Sequence, residues 1–230
     1  MAKDIVMLHG ASAGGWCFDN FRDVFEGRGW TVHTPDLVGH GRDKEGADQK
    51  LIGVGLAEYR ADFAEVLKTL PTHPVLLGHS MGALLAQQLA ASGLARALIL
   101  VSPAPRAGIL PSSDSEKDLS QSLMGIPSFW KTVINPDFDF ACFYSLNRVP
   151  KDQRRAVFDK FGPLALLISR CSSGCSTKGG PPQSIPMRYA ARCSAFLGPK
   201  TILCRWPPRA PQPCHIAVRN SGKRPGTGTC

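Results

Sequence analysis

The pentapeptide Gly78-His79-Ser80-Met81-Gly82 constrains this chain more than any other feature. It stands between an apolar run at 74–77 that reads as a strand and an apolar run at 81–92 that reads as a helix stopped by Gly93. A serine held at a sharp strand-to-helix turn needs small residues two positions to either side, because larger side chains would strike the adjoining elements. Gly78 and Gly82 meet that need. Such a turn lifts the serine hydroxyl out of the sheet. It also leaves the Met81 amide, at the start of a helix, free to donate to a developing oxyanion. Ser80 is therefore the candidate nucleophile and Met81 the first candidate oxyanion donor. The pentapeptide occurs by chance in many chains, so the flanking strand and helix are what select the chemical reading.

Other segments fit the same architecture. Asp4-Ile5-Val6-Met7-Leu8-His9-Gly10 reads as a buried strand ending in a glycine turn, and Trp30-Thr31-Val32-His33-Thr34-Pro35-Asp36 as a second strand ended by proline. A helix is expected around 18–25. At 56–70, Leu56, Tyr59, Phe63, Val66, Leu67 and Leu70 recur at helical spacing. Residues 97–101 are continuously apolar, which marks a strand covered on both faces and hence a mostly parallel sheet between helices. Residues 107–160 read as helical, notably 138–146 and 150–161, with no strand among them. They would suit a cap over a site.

Together these segments resemble the α/β-hydrolase family, in particular its small esterases and hydroxynitrile-lyase-like members. Leu8-His9-Gly10-Ala11 with Gly15-Trp16 looks like the family's oxyanion loop. Pro35-Asp36-Leu37-Val38-Gly39-His40-Gly41 looks like its glycine-rich turn, and 97–102 like the strand after the nucleophile helix. The resemblance covers about 4–163. It implies an α/β-hydrolase fold, a mostly parallel sheet with helices on both faces and a small helical cap. It further implies a serine hydrolase needing no cofactor and no metal, acting on a small-molecule ester, with the amides of Ala11 and Met81 as oxyanion donors.

In that family the base follows the nucleophile and is oriented by a carboxylate. His9, His33, His40 and His73 precede Ser80 and His79 adjoins it, so all five read as structural. His215 is the one histidine after the turn, a weak candidate base, because no Asp or Glu follows Asp159. Asp114, Asp118, Asp137, Asp139, Asp152 and Asp159 read as a solvated face of the cap. Cys171 and Cys175 are followed by no second close pair, so the cysteines fit no zinc pattern. The competing function is a non-catalytic relative that binds a small ligand.

A net charge of +9 would ordinarily suggest nucleic acid or anionic lipid. Residues 1–160, however, hold 17 Lys+Arg against 18 Asp+Glu, and 161–230 hold 10 Lys+Arg and no acid. The basic excess belongs to the last stretch, which also carries six of the eight cysteines and ten of the nineteen prolines. Neither nucleic acid nor membrane is expected as a partner. The division is 1–106 as core with the nucleophile turn, 107–163 as cap, and 164–230 as an atypical basic tail, frameshifted or disordered, with the family's C-terminal strands missing or replaced. Codons built across residue boundaries in one shifted frame permit Gly-Ala-Glu-Asp over 197–201 and Gly-His-Gly-His over 225–229. These match the glycine-led acid and base of the family, in order. Met1-Ala2-Lys3-Asp4 enters the first strand without the pattern of a signal peptide, so the expected location is cytoplasmic.

Overall fold

The computed structural model describes residues 3–104, 113–126 and 132–165, without the side chains of 123 and 124, together with the backbone of 192–194 and 201–205. Its centre is a six-stranded sheet. The strands are β1 (Asp4–Leu8), β2 (Thr31–His33), β3 (Val75–His79), β4 (Ala97–Val101), β7 (Arg192–Ser194) and β8 (Thr201–Arg205), in the order β2-β1-β3-β4-β8-β7. The first four are parallel, with Leu8 level with Gly78 and His79 level with Val101. Their carboxyl ends therefore lie side by side, where open parallel sheets place their ligand sites.

Helices α1 (Asp19–Glu26), α2 (Ala47–Lys50), α3 (Leu56–Lys68) and α4 (Met81–Ala91) connect these strands. α3 begins where the Glu58 carboxylate accepts the Gly55 N–H at 2.9 Å, and it buries Tyr59, Phe63 and Leu67 as the helical spacing requires. α4 is apolar on almost every face and is buried along most of its length. Both pack on one side of the sheet, over Val6, Leu8, Leu76, Leu98 and Leu100. The opposite side has a smaller cluster of Ile5, Met7, Phe18, Val32, Val75 and Leu77.

Two expectations change, and the course of the sheet past 163 is defined. β4 is not buried on both faces: Leu98 and Leu100 are buried, whereas Ala97, Ile99 and Val101 are half-buried against the smaller cluster. Its outer edge is also paired, since β8 runs antiparallel beside it with Leu98 opposite Cys204 and Leu100 opposite Ile202. The sheet thus continues past 163, with antiparallel strands. Finally, the cap region contains a strand. β5 (Val133–Ile134) pairs antiparallel with β6 (Leu164–Ala165), and the cap helices are α5 (Asp114–Met124), α6 (Phe138–Tyr144) and α7 (Arg154–Phe158). Among the described residues no helix is long and apolar enough to cross a membrane.

Candidate functional site

Ser80 sits between β3 and α4 with φ 52° and ψ −118°, a left-handed backbone that serine adopts at a cost of about 1–3 kcal/mol. Surrounding bonds hold it there. Its N–H donates to the Val101 carbonyl at 3.1 Å, and its carbonyl accepts from Ala83 and Ala104, both at 3.0 Å. The side chain is half-buried. Met81 opens α4, so no carbonyl one turn earlier in that helix is available to its N–H.

The glycine requirement read from the sequence has a steric cause. A Cβ on Gly78 would come within 2.5 Å of the Ala83 Cα, and one on Gly82 would overlap the carbonyl oxygens of Leu8 and His9. α4 therefore crosses the end of β1 in backbone contact. The same closeness brings the loop after β1 to Ser80: a Cβ on Gly10 would lie 3.0 Å from the Ser80 Cβ. Ala11, next in that loop, is exposed.

Two loops brace this arrangement. The Asp36 carboxylate accepts the Gly15 N–H at 2.6 Å through Oδ1, and the Arg42 N–H and Nε–H at 3.2 and 3.0 Å through Oδ2. Burial pushes the Asp36 pKa up, but the bonds from Gly15 and from the side chain and amide of Arg42 outweigh it and hold the group below the usual carboxylate range. The end of the cap rests on the same loop. Gly162 N–H donates to the Ser12 carbonyl at 2.9 Å, Phe161 packs 6.0 Å from the Trp16 ring, and Lys160 lies over that ring. Lys44 Nζ donates to the Asp159 carbonyl at 2.8 Å.

The early histidines sit in structural settings. His9 is fully buried, and its Nε2 accepts from the Leu37 N–H at 3.1 Å. Its Nδ1 therefore carries the proton and donates to the Gly10 carbonyl at 2.8 Å. Burial pulls the ring down to about 4, against the opposing pull of the Gly10 bond. His40 is also fully buried, bonded to the Val38 carbonyl at 2.9 Å and lowered by burial. His33 pairs with the buried Asp4 at 3.1 Å, and His73 is exposed. His79 is half-buried and lowered by its burial. All six cap aspartates are exposed. Asp137 caps α6 by accepting the Phe140 N–H at 2.7 Å, while Asp114 and Asp159 pair with Lys117 and Arg155. His215, Cys171 and Cys175 lie outside the described residues, as does most of the segment where the shifted codons permit an acid and all of that where they permit a histidine.

Away from Ser80, an open cleft of about 380 Å³ on the cap is lined by Ser115, Cys142, Phe143, Tyr144, Asn147 and Arg154. The sequence reading did not find the bracing role of Asp36. Its only local signal was an aspartate just before two closely spaced glycines, and its partner Gly15 is far away along the chain.

Comparison with known proteins gives three results. A model of the Alpha/beta hydrolase family matches residues 5–218, a span that runs past the 163 boundary. A pyrethroid hydrolase from Sphingobium wenxiniae is 38% identical over 79 residues, 34% of this chain and 27% of that protein. The match thus spans little more than a quarter of that relative's length. Among solved structures, an extracellular alpha/beta-hydrolase from a Paenibacillus species has a TM-score of 0.57 at 20% identity, over 71% of this chain and 67% of the other. A methylesterase from Arabidopsis has a TM-score of 0.55 at 19% identity, over 71% and 67%.

Proposed function

The chain belongs to the alpha/beta hydrolase family, and from that premise we propose that it is a serine esterase that forms an acyl-enzyme on Ser80 with a small ester. The observation that carries this reading is the strained backbone of Ser80 at the head of α4, with Gly10 packed against it. The names of the pyrethroid hydrolase and the methylesterase point the same way.

In this mechanism the Ser80 hydroxyl attacks the ester carbonyl while a base takes its proton. The amides of Met81 and Ala11 receive the oxyanion, the alcohol leaves with the proton, and water then releases the acid. The chain performs this slowly. No acid follows Asp159, and His215 is the one histidine beyond Ser80. Loss of triad members costs on the order of 10⁴ to 10⁶ in turnover, while an oxyanion hole and binding retain about 10³ over water.

A fluorophosphonate should label the protein slowly, and Ser80→Ala should abolish the labelling. Rapid stoichiometric labelling would show a competent base and end the claim of impairment; labelling that survives Ser80→Ala would remove Ser80 from the mechanism. p-Nitrophenyl acetate hydrolysis should be fast only in a protein translated from the shifted frame after about codon 163. An early stop codon in that frame would overturn the frameshift account. A non-catalytic ligand-binding role, favoured by the absence of a late acid from the sequence, predicts no labelling together with saturable binding of a small ester.

A further inference from the structure

We propose that Asp36 is a positioning residue for the oxyanion site, its carboxylate anchoring the far end of the loop whose near end, Gly10, abuts Ser80. This inference rests on Ser80 as nucleophile and Ala11 as oxyanion donor.

The loop is held at Gly10 and at Gly15, and between them the Ser12 carbonyl accepts from the Gly162 N–H at 2.9 Å. At Gly10 it lies against the Ser80 Cβ. At Gly15 its N–H donates to Asp36 Oδ1 at 2.6 Å. Ala11 and Ser12 lie between these points, and Ser12 has φ 58°. A serine leaves that left-handed conformation when nothing holds it, because its Cβ crowds the backbone there. The Gly162 bond holds the plane on the Ala13 side of Ser12, so releasing Gly15 loosens the loop chiefly on the Ala11 side, and the Ala11 N–H turns with it.

The anchor is built into the fold. The Asp36 side chain is only 10% exposed, whereas that of its partner Arg42 is 89% exposed. A Cβ on Gly14 would lie 2.6 Å from the Gly41 Cα and 2.9 Å from Asp36 Oδ1, and a Cβ on Gly41 would overlap the Asp36 carboxylate. The two loops thus meet backbone to backbone around this one side chain. Two carboxylate oxygens serve two loops. Asn at this position could still accept from Gly15, but it would turn an NH₂ toward the Arg42 donors.

The test compares the parent chain with Asp36→Ala, Asp36→Asn and Ser80→Ala. For fluorophosphonate labelling, the maximal rate should fall about 100-fold in Asp36→Ala and about tenfold in Asp36→Asn, as expected when an oxyanion donor is displaced. The reagent concentration giving half-maximal rate should change little. Amide exchange across 10–15 should accelerate in the same order. If Asp36→Ala does not fold, the Asp36→Asn comparison decides. Equal labelling rates in the parent and both Asp36 variants, or unchanged exchange across 10–15, would overturn the proposal. A parent that is not labelled, or labelling that persists in Ser80→Ala, would overturn the Ser80 reading itself, and with it the catalytic consequence drawn here. The exchange measurement would still report separately whether Asp36 holds the loop.

Discussion

The two faces of the parallel strands differ in cover. One is sealed by α3 and α4, which bury Tyr59, Phe63, Leu85 and Leu89 and enclose His9 and His40. The other is closed in part by α1 and Phe18 and leaves Ile99 and Val101 half-buried. The sealed face is also the one covered by α4, the helix that Ser80 precedes and that crosses β1 at Gly82. The side of the sheet with the least tolerance for change is thus the one on which the helix that follows the candidate nucleophile packs.

The sharpest way to break this contrast is Gly82→Ala, whose methyl would overlap two carbonyl oxygens of β1 and its loop. Backbone cannot yield as a side chain does, so the loss should exceed the roughly 1–3 kcal/mol usual for overpacking and leave little folded protein by circular dichroism. Next, Phe63→Ala should cost about 3–5 kcal/mol in urea denaturation. Ile99→Ala on the other face should cost no more than about half as much, since less of its surface leaves water on folding.

The third prediction concerns pH. The His9 pKa falls to about 4 in the folded state, from 6.5 in the unfolded chain. The unfolded chain thus takes up the proton first as pH falls. The stabilisation is complete above about pH 6.5 and is lost progressively toward pH 4, by up to about 3 kcal/mol. His40 and His79 shift in the same direction. His9→Asn keeps a donor near the Gly10 carbonyl but cannot titrate. Its stability should therefore depend less steeply on pH between 7 and 4.5, and an identical slope would place the proton uptake elsewhere. The smallest effect is a gain. Ser80→Gly relieves the left-handed strain and should raise stability by about 1 kcal/mol in thermal denaturation, at the expense of all fluorophosphonate labelling.

The parts legible in sequence were those whose cause is local. Gly78 and Gly82 announce a close crossing because no other side chain fits, and α3 announces its buried face through the spacing of Tyr59, Phe63 and Leu67. The continuous apolar run of β4 was misleading, because apolar residues tolerate half-burial and so do not report how much lies over them. The pairing of β8 with β4 was hidden in a short apolar island without periodicity, and the β5–β6 ribbon pairs only two residues from each strand. The Asp36 clamp joins loops that are remote in sequence, and its geometry exists only once β1 and β2 are side by side.

The bond from Gly162 N–H to the Ser12 carbonyl closes a circuit of chain. The polypeptide leaves the Ser80 neighbourhood at Ser12, passes through the sheet, α3, α4 and the cap, and returns to its starting point one residue before Pro163. The composition break thus falls just outside the circuit. The cap is therefore moored to the loop after β1 by residues that precede the break.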